Sequence, residues 1–523
     1  MKKYRNLIVL GVIILGVAIF LVYKNVNFND LLLKFGYYEE KVSVINTADV
    51  HGHIIYDSDA GGYYTLDEVN VMMGMPLMKT IVDEIRQKDE DALLLDSGDM
   101  FHGTNEANVQ KAQGIVEEAN LMGYNAMVVG NHDFDFGMDR LIEIKSQLNY
   151  PMLSANIYKD GKPLFQQYKI VKIGDKKIGL FGLTVEDALV YTNSKDTKGV
   201  TVQDPIKAAE KMVEFLKKET DSIILISHLG DEIDKQVVDQ VKGIDLILCG
   251  HHHFLYEKAV NYKGTYLVEA GGYSTHVGLA EMYFRKGKIT KVVWKVIQST
   301  DEAKANKEMK KVGEKYYALA MEAGKEQVGK AAVTLDGVRS RVRSQETNLA
   351  NLLTDAMRET GNADLALMNG GGIRESIPSG DVNLYNIGKA LPFSNYLVTA
   401  EVKGEKIYQA LERGIRQYPN SGTNGGFLQV SGINYVFDAS KNAGDRVVSI
   451  TINGEPLDKN KNYKVALNDY IFNGGDNFTE FEDSKLLYRG ELLKDVLAKY
   501  IKENKEVNPA TEGRIKVINE RYK

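Results

Sequence analysis

The chain has 523 residues, of which 44% are hydrophobic and 26% charged, and its formal net charge is −6 at pH 7. This length fits two or three domains, and the composition excludes a disordered chain. The mixed, slightly acidic charge gives no basic surface for a nucleic-acid polymer, and the single cysteine, Cys249, excludes an intramolecular disulfide and a thiolate-rich metal site.

The N-terminus has the layout of an export signal. Lys2, Lys3 and Arg5 precede the uncharged apolar run LIVLGVIILGVAIFLVY at 7–23. We therefore assign 1–27 to a signal peptide or a signal anchor, and the lack of a small-x-small cleavage site after Tyr23 favours the anchor. This assignment predicts an extracytoplasmic protein that is either secreted or attached to the membrane by this segment.

Residues 40–300 alternate between strand-like and helix-like segments. Buried strands are predicted in VSVINT, ALLLDSGD, NAMVVGNHD, PMLSAN, SIILISHLG and DLILCGHHH, and helices at 79–88, 110–122 and 205–218. This pattern predicts an α/β domain whose polar residues gather where strands end, which is where such folds bind ligands. Residues 54–76 have no clear pattern and are interpreted as a loop or insertion.

The remainder of the chain begins with a charged segment. The alanine- and lysine-rich stretch 301–327 predicts a long exposed helix, and we place a linker at 301–330. Residues 331–515 again mix strands and helices, which predicts a second α/β domain.

Several predicted strands of the first domain end in residue types that bind metals: Asp49, His51, Asp99, Asn131, His132, His228, His251, His252 and His253. A single such residue is usually a turn or cap residue, but uncompensated aspartates and histidines meeting at one sheet edge would cost on the order of several kcal/mol in desolvation. Two divalent cations would supply the missing charge, and oxygen and imidazole ligands suit Zn²⁺, Mn²⁺, Co²⁺ or Fe²⁺. Paired metals promote phosphoryl displacement, so hydrolysis of a phosphate ester is the leading hypothesis.

The motifs DVHG, SGD, GNHDFD, SHLG and GHHH, in this order, resemble those of binuclear metallophosphoesterases, and more narrowly the 5′-nucleotidase family of two-domain exported enzymes of the 5′-nucleotidase and UDP-sugar hydrolase type. The resemblance spans about 42–515. It implies an α/β protein with an N-terminal calcineurin-like metallophosphoesterase β-sandwich flanked by helices, a linker helix and a C-terminal α/β nucleotide-binding domain. It also implies one metal ion held by Asp49, His51, Asp99 and His253, and another held by Asp99, Asn131, His228 and His251.

The remaining polar residues of these motifs receive other interpretations. An extended loop at GHHH would place His251 and His253 on one side, which leaves His252 out. His132 and Asp135 are predicted to form a catalytic dyad in which the carboxylate accepts one imidazole N–H, and the resemblance supports this pair. The residues interpreted as non-ligands or as structural are His53, His102, His252, His276, Asp133 and Cys249.

The second domain offers groups for a nucleotide. Taken alone, RSRVR fits a solvated strand face, and NGGGIR fits a close backbone approach beside a phosphate-binding arginine. The segments LDGVRSRVRSQETNLANL, NGGGIRESIPSG, LPFSN, FLQVSGI and NDYIFNGGDNF resemble the nucleotide-binding domain of 5′-nucleotidases. The resemblance implies phosphate contacts from Arg339, Arg343 and Arg374, a base contact from Asn369, ribose contacts from Asp476, and base stacking by Phe393 and Tyr470. It also implies rotation of this domain about the linker.

The resulting hypothesis is an enzyme, a phosphoric monoester hydrolase that uses two divalent cations (Zn, Mn or Co) to convert nucleoside 5′-phosphates into nucleoside and phosphate, with UDP-sugars as further substrates. One alternative is a 2′,3′-cyclic nucleotide 2′-phosphodiesterase and 3′-nucleotidase, in which the position of Asp135 often carries asparagine. A non-catalytic surface binding protein is the alternative from another class, and the retention of every metal-binding position disfavours it.

Overall fold

The computed structural model describes residues 28–57, 71–186, 188–189, 197–393, 395–420, 424–481 and 483–520. The predicted signal segment 1–27 and residues 58–70 of the unassigned stretch 54–76 lie outside the described residues. Across these described ranges, no helix is both long enough and apolar enough to cross a membrane.

Two six-stranded sheets form the body of the N-terminal half. The first has the order Lys288–Ile297, Val277–Arg285, Glu40–Thr47, Leu93–Asp96, Ala126–Val128 and Met152–Leu153. The second has the order Val260–Tyr262, Thr265–Val268, Leu246–Leu248, Ser222–His228, Lys176–Thr184 and Tyr168–Ile173. Aliphatic side chains from both sheets pack in one buried core between them, including those of Val44, Leu95, Ile226 and Leu248. The predicted β-sandwich is confirmed.

Helices cover the outer faces of the sandwich. The first sheet packs against Gly74–Arg86, Gln113–Met122 and Met138–Gln147, and the second packs against Pro205–Leu216 and Asp231–Gln240. The remaining elements of this half are the helices Phe28–Lys34 and Asn105–Asn108, the 3₁₀ turn His132–Phe134, and a small sheet of Lys162–Pro163, Ile157–Lys159 and Val200–Val202. Four adjacent strands in each six-stranded sheet run parallel, so the carboxyl ends that carry candidate ligands meet at one edge.

A 3₁₀ turn, Glu302–Lys304, and the helix Lys307–Ala323 connect the two halves. Asn306 caps the helix by accepting from the backbone N–H groups of Glu308 and Met309. The expected exposure is wrong for one face, because a narrow stripe at helical spacing is buried against the first domain; it consists of Met309, Gly313 and Tyr316.

The C-terminal half is a second α/β unit. Its five-stranded sheet has the order Leu428–Ser431, Leu365–Asn369, Asn462–Asn468, Tyr396–Lys403 and Lys485–Leu492. Two smaller sheets contain Glu455–Pro456, Val447–Ile452, Ile433–Asp438 and Ile515–Ile518, and Gly380–Asn383, Gln327–Ala331 and Glu506–Val507. Its helices are Arg339–Val342, Asn348–Thr360, Leu384–Ala390, Gly404–Gly414, Asp469–Phe472 and Leu493–Asn504, with 3₁₀ turns at Gly370–Gly372, Gly475–Asn477 and Thr479–Phe481. The predicted α/β class of this half is confirmed.

Candidate metal centre and substrate cavity

The strand ends bring the predicted metal ligands together in two groups. Asp49, His51 and His253 form one group, and Asp99, His228 and His251 form the other. In each group the donor atoms lie within 4.8 Å of one another. Buried carboxylates and imidazoles gathered in this way fit divalent cations.

Asp99 connects the two groups, and Asn131 joins the second of them. One carboxylate oxygen of Asp99 lies 3.1 Å from Nε2 of His228 and 3.6 Å from Nε2 of His51. The amide oxygen of Asn131 lies 3.1 Å from Nε2 of His228 and 3.0 Å from Nδ1 of His251. Asp99 is therefore the carboxylate that reaches both groups, and the seven predicted ligands form one continuous cluster.

Backbone carbonyls hold the far sides of two imidazoles. Nδ1 of His51 lies 3.0 Å from the carbonyl oxygen of His102, and Nδ1 of His228 lies 2.7 Å from that of Ser97. A carbonyl can only accept, so each Nδ1 carries a proton, and Nε2 is the ring nitrogen that faces the cluster. Metal-binding histidines are held in this manner.

The backbone at the cluster is unusual for residues other than glycine. Positive φ angles occur at Asp49 (50°), His51 (47°), Asp99 (55°), His251 (80°) and His253 (60°). Such angles are uncommon outside glycine and persist only where the surrounding structure imposes them. The expectation of an extended loop at GHHH is therefore wrong, because His251 and His253 adopt left-handed conformations and join different groups.

The electrostatics of the cluster favour bound cations. Burial lowers the pKa of His51, His251 and His253, which keeps these imidazoles in the neutral form that binds metals. Burial opposes ionisation of Asp99, but His228 and other neighbouring histidines outweigh it and lower the pKa of this carboxyl group. Asp99 in turn outweighs burial and raises the pKa of His228 to about 10, which indicates how strongly the carboxylate attracts positive charge.

His132 and Asp135 lie beside this cluster. Nδ1 of His132 is 2.9 Å from Oδ2 of Asp135, and burial, which lowers the pKa of His132, is outweighed by Asp135 and Asp99, so that the pKa rises to about 9. His102, interpreted from the sequence as a non-ligand, also approaches Asp135, at 3.0 Å, and the three side chains form a third group of metal-binding types. Asp133 accepts backbone N–H groups of Met100 and Gly130, as a structural residue does.

Of the other residues interpreted as non-ligands, His252 lies 3.2 Å from Asp231 and His276 contacts the hydroxyl group of Thr275. The backbone carbonyl oxygen of His53 accepts a hydrogen bond from the hydroxyl group of Ser274. Cys249 is fully buried in the core beneath the second sheet.

A cavity of about 270 Å³ lies between the two halves of the protein. The first half contributes Asp99, Asn131, His132, Asp135, His251 and His253, and the second half contributes Arg339, Arg343, Asn369, Arg374, Phe393, Tyr470 and Asp476. The remaining predicted ligands, Asp49, His51 and His228, lie beneath its wall and are buried. All the residues predicted from the sequence are therefore in or directly beneath one cavity.

Three polar side chains that the second half contributes to the cavity, Asn369, Tyr470 and Asp476, are hydrogen-bonded to one another. The side-chain amide of Asn369 donates to Oδ2 of Asp476 at 2.8 Å, and the hydroxyl group of Tyr470 donates to Oδ1 at 3.0 Å. Burial raises the pKa of Asp476, and these two hydrogen bonds act in the opposite direction. The carboxylate thus has a fixed orientation at the cavity wall.

Three arginines line the middle of the cavity. Arg339 and Arg343 are buried although they carry charge, and Arg374 lies 5.2 Å from the ring centre of Phe393. Burial lowers the pKa of Arg343, and the positive charges of Arg339 and Arg374 lower it further. Such a concentration of buried positive charge is suited to an anion.

The sequence interpretation missed several lining residues, including Tyr273, Arg413, Arg416, Asn424 and Asn477. Tyr273 follows the strand Thr265–Val268, which runs parallel to its neighbour Leu246–Leu248. Tyrosine is not among the residue types that mark a metal site at a strand end, so its position alone gave no signal. Arg413 lies in the last turn of the helix Gly404–Gly414 and Asn477 in the 3₁₀ turn Gly475–Asn477, whereas Arg416 and Asn424 lie outside helices and strands.

Comparisons with known proteins agree with this architecture. The family model of calcineurin-like phosphoesterases matches residues 42–255, and that of the 5′-nucleotidase C-terminal domain matches 327–483. The 5′-nucleotidase of Bos taurus is 30% identical, covering 91% of this chain and 90% of the relative. Protein UshA of Yersinia enterocolitica is also 30% identical, covering 88% of this chain and 91% of the relative.

A solved structure is similar along almost the whole chain. The 5′-nucleotidase precursor of Thermus thermophilus is 32% identical and superposes with a TM-score of 0.78, covering 92% of this chain and 100% of that protein. The first half of the protein is thus a calcineurin-like metallophosphoesterase domain. With its second half, the chain belongs to the 5′-nucleotidase family.

Proposed function

We propose that this protein hydrolyses nucleoside 5′-phosphates to nucleoside and phosphate. The observation that carries the proposal is that metal-binding side chains of one domain and three arginines of the other line the same cavity. A nucleotide offers a phosphate for the metals and arginines and a base for the aromatic rings. Membership of the 5′-nucleotidase family supports the same activity.

We propose two divalent cations, Zn²⁺, Mn²⁺ or Co²⁺, as cofactors. Asp49, His51, Asp99 and His253 would hold one, and Asp99, Asn131, His228 and His251 would hold the other. When bound, the cations would supply an activated water and neutralise charge on the phosphoryl group. The two donor groups, the carbonyl-held imidazoles and the positive φ angles support this assignment.

His132 is proposed as the group that stabilises the reacting phosphate. Asp135 accepts from Nδ1, which leaves Nε2 as the nitrogen available to a ligand in the cavity. An imidazolium in this position would stabilise negative charge on the phosphoryl group and could donate a proton to the leaving oxygen.

The second domain is proposed to bind the rest of the nucleotide. Arg339, Arg343 and Arg374 would bind phosphate oxygens, and Asp476 would accept hydrogen bonds from ribose hydroxyl groups. Asn369 would contact the base, which would stack on Phe393 and Tyr470. Ring stacking tolerates any base and contributes about 1–3 kcal/mol per base.

We further propose an extracytoplasmic location, supported by the basic residues and apolar run of 1–27. The linker around Lys307–Ala323 is proposed as the hinge for domain rotation. We propose 301–330 as the linker between domains at 40–300 and 331–515.

Phosphate release by the full-length protein tests the proposed function. AMP, UDP-glucose, 3′-AMP and 2′,3′-cyclic AMP would be compared in Mn²⁺, with His132→Ala as the control variant. Nucleotide products are measured beside phosphate, because UDP-glucose first yields UMP and glucose 1-phosphate and the cyclic nucleotide first yields 3′-AMP. We expect AMP to be preferred and the variant to lose most of this activity. Preference for 3′-AMP or the cyclic nucleotide would support the alternative phosphodiesterase, and no release from any substrate by metal-loaded protein would support a binding protein.

A further inference from the structure

Tyr273 occupies a constrained turn beside the metal cluster. Tyr273 and Ser274 have φ angles of 58° and 54°, a conformation that bulky residues rarely adopt. The backbone N–H of Tyr273 donates to the carbonyl oxygen of Asp49 at 2.7 Å. The ring stacks on that of His51 at 5.4 Å and meets the edge of His253 at 4.6 Å. The turn thus fixes the ring against two predicted metal ligands.

The hydroxyl group of Tyr273 reaches the other domain. It accepts a hydrogen bond from Nη1 of Arg339 at 2.6 Å and another from Nη2 of Arg374. Both guanidinium groups also lie near the tyrosine ring, at 5.5 and 5.1 Å from its centre. Tyr273 therefore links the metal-binding half directly to two of the three arginines.

This contact has a clear electrostatic consequence. Two like charges avoid each other unless a shared acceptor holds them, and a tyrosine oxygen has two lone pairs for this purpose. Arg339 belongs to the helix Arg339–Val342, and Arg374 to the segment after Gly370–Gly372. Because these segments are far apart in the sequence, local backbone structure does not bring the two guanidinium groups together. The hydroxyl oxygen of Tyr273 is the acceptor that both arginines share, and the tyrosine ring lies close to His51 and His253.

We propose that Tyr273 is a positioning residue: its hydroxyl group orients Arg339 and Arg374 toward the phosphate of the substrate and holds them beside the metal ligands when the domains are closed. The proposal rests on the proposed function in taking phosphate as the ligand. Each guanidinium has further N–H groups, so it can donate to the tyrosine and to a phosphate at once.

Binding of inorganic phosphate to the full-length, Mn²⁺-loaded protein tests this role by calorimetry. We expect Tyr273→Phe to weaken phosphate binding by about five- to tenfold, because the ring remains but the hydroxyl acceptor is lost. The KM for AMP should rise more than kcat falls, while the content of bound Mn²⁺ should be unchanged. Tyr262→Phe is the matched control, because that hydroxyl contacts Asp239 rather than an arginine, and it should behave as the wild type.

The same substitution in an Arg374→Ala background separates positioning from general damage. If Tyr273 acts through the arginines, Tyr273→Phe should weaken phosphate binding by clearly less in this background than in the wild type. Unchanged phosphate affinity in Tyr273→Phe, equal effects in both backgrounds, or loss of Mn²⁺ from the variant would each overturn the proposal. Wild-type protein that binds phosphate but does not hydrolyse AMP would refute the proposed function while leaving this test intact.

Discussion

His132 and Phe393 stack across the boundary between the two domains, with ring centres 5.1 Å apart and planes at 26°. The same phenylalanine lies 5.7 Å from the ring of His102. The residue proposed to stabilise the reacting phosphate and the residue proposed to stack on the base are therefore in contact. This contact places the two proposed functions side by side at the domain boundary.

Replacement of Phe393 should therefore affect both binding and turnover. Phe393→Ala should raise the KM for AMP by about five- to 150-fold through lost stacking, and lower kcat because His132 loses a neighbour. Tyr470→Ala should raise the KM for AMP alone, since the hydroxyl of Tyr470 contacts Asp476. Ribose 5-phosphate, which lacks a base, separates the effects: on this substrate Phe393→Ala should still lose kcat. Identical behaviour of the two variants on it would contradict the proposed contact.

If His132 and Asp135 act as a dyad, the loss of kcat in an Asp135 variant should depend on the leaving group of the substrate. Asp135→Asn should lower kcat for AMP by about 10²- to 10⁴-fold, because the carboxylate that orients His132 is lost. Hydrolysis of p-nitrophenyl phosphate, whose leaving group needs no proton, should fall much less. Steady-state kinetics on both substrates, with metal content measured in parallel, provide the check. Equal losses on the two substrates would argue against proton donation by His132.

Metal removal should abolish activity and lower the melting temperature. Chelation removes charge that the buried carboxylates require, so phosphate release should stop and return when Mn²⁺ is restored. Elemental analysis should find two ions per chain in the wild type and fewer than one in Asp99→Asn, because Asp99 reaches both groups. His252→Ala is the matched control and should retain both ions, since this histidine pairs with Asp231. Full metal content in Asp99→Asn would show that this carboxylate does not bridge.

Side-chain amides of the first domain donate hydrogen bonds to the second domain. Asn105 donates to the carbonyl oxygen of Tyr385 at 2.8 Å, and Asn108 donates to that of Pro392 at 3.1 Å. The variant Asn105→Ala/Asn108→Ala should open more readily, which raises the KM for AMP and increases the radius of gyration measured by small-angle X-ray scattering. Asn149→Ala, whose side chain contacts Asn120 within the first domain, is the control. An unchanged radius with an unchanged KM would show that these amides do not restrain the domains.

Much of the fold and the candidate site was accessible from the sequence because ligands follow buried strands directly. Asp49 and Asp99 follow the ends of observed strands by two and three residues, and His228 is the last residue of one. The ligands could therefore be located although the predicted strand ends differ from the observed ones by a few residues. The exposure of the linker helix was mispredicted, because the apolar stripe through Met309 and Tyr316 is too narrow to stand out among charged neighbours.

Tyr273 was missed for a different physical reason. A tyrosine after a strand is an ordinary core residue unless something polar meets its hydroxyl group, and its partners Arg339 and Arg374 lie 66 and 101 residues away in the chain. Contacts of this kind depend on how two domains dock, which no local pattern encodes. The left-handed conformations at His251 and His253 were hidden for a related reason, since local preference favours an extended loop there.

The left-handed φ angles at five predicted ligands lower the free energy of unfolding of the protein, while the same residues provide the donor atoms for metal binding. Each such conformation costs about 1–3 kcal/mol, and glycine would remove most of that cost but also the donor atom. Glycine at any of these five positions should therefore stabilise the metal-free protein but remove a donor atom that the metal-bound protein needs. Selection for heat resistance in the presence of a chelator should therefore drift toward His251→Gly, whereas selection for turnover with metal present should keep the strained histidine.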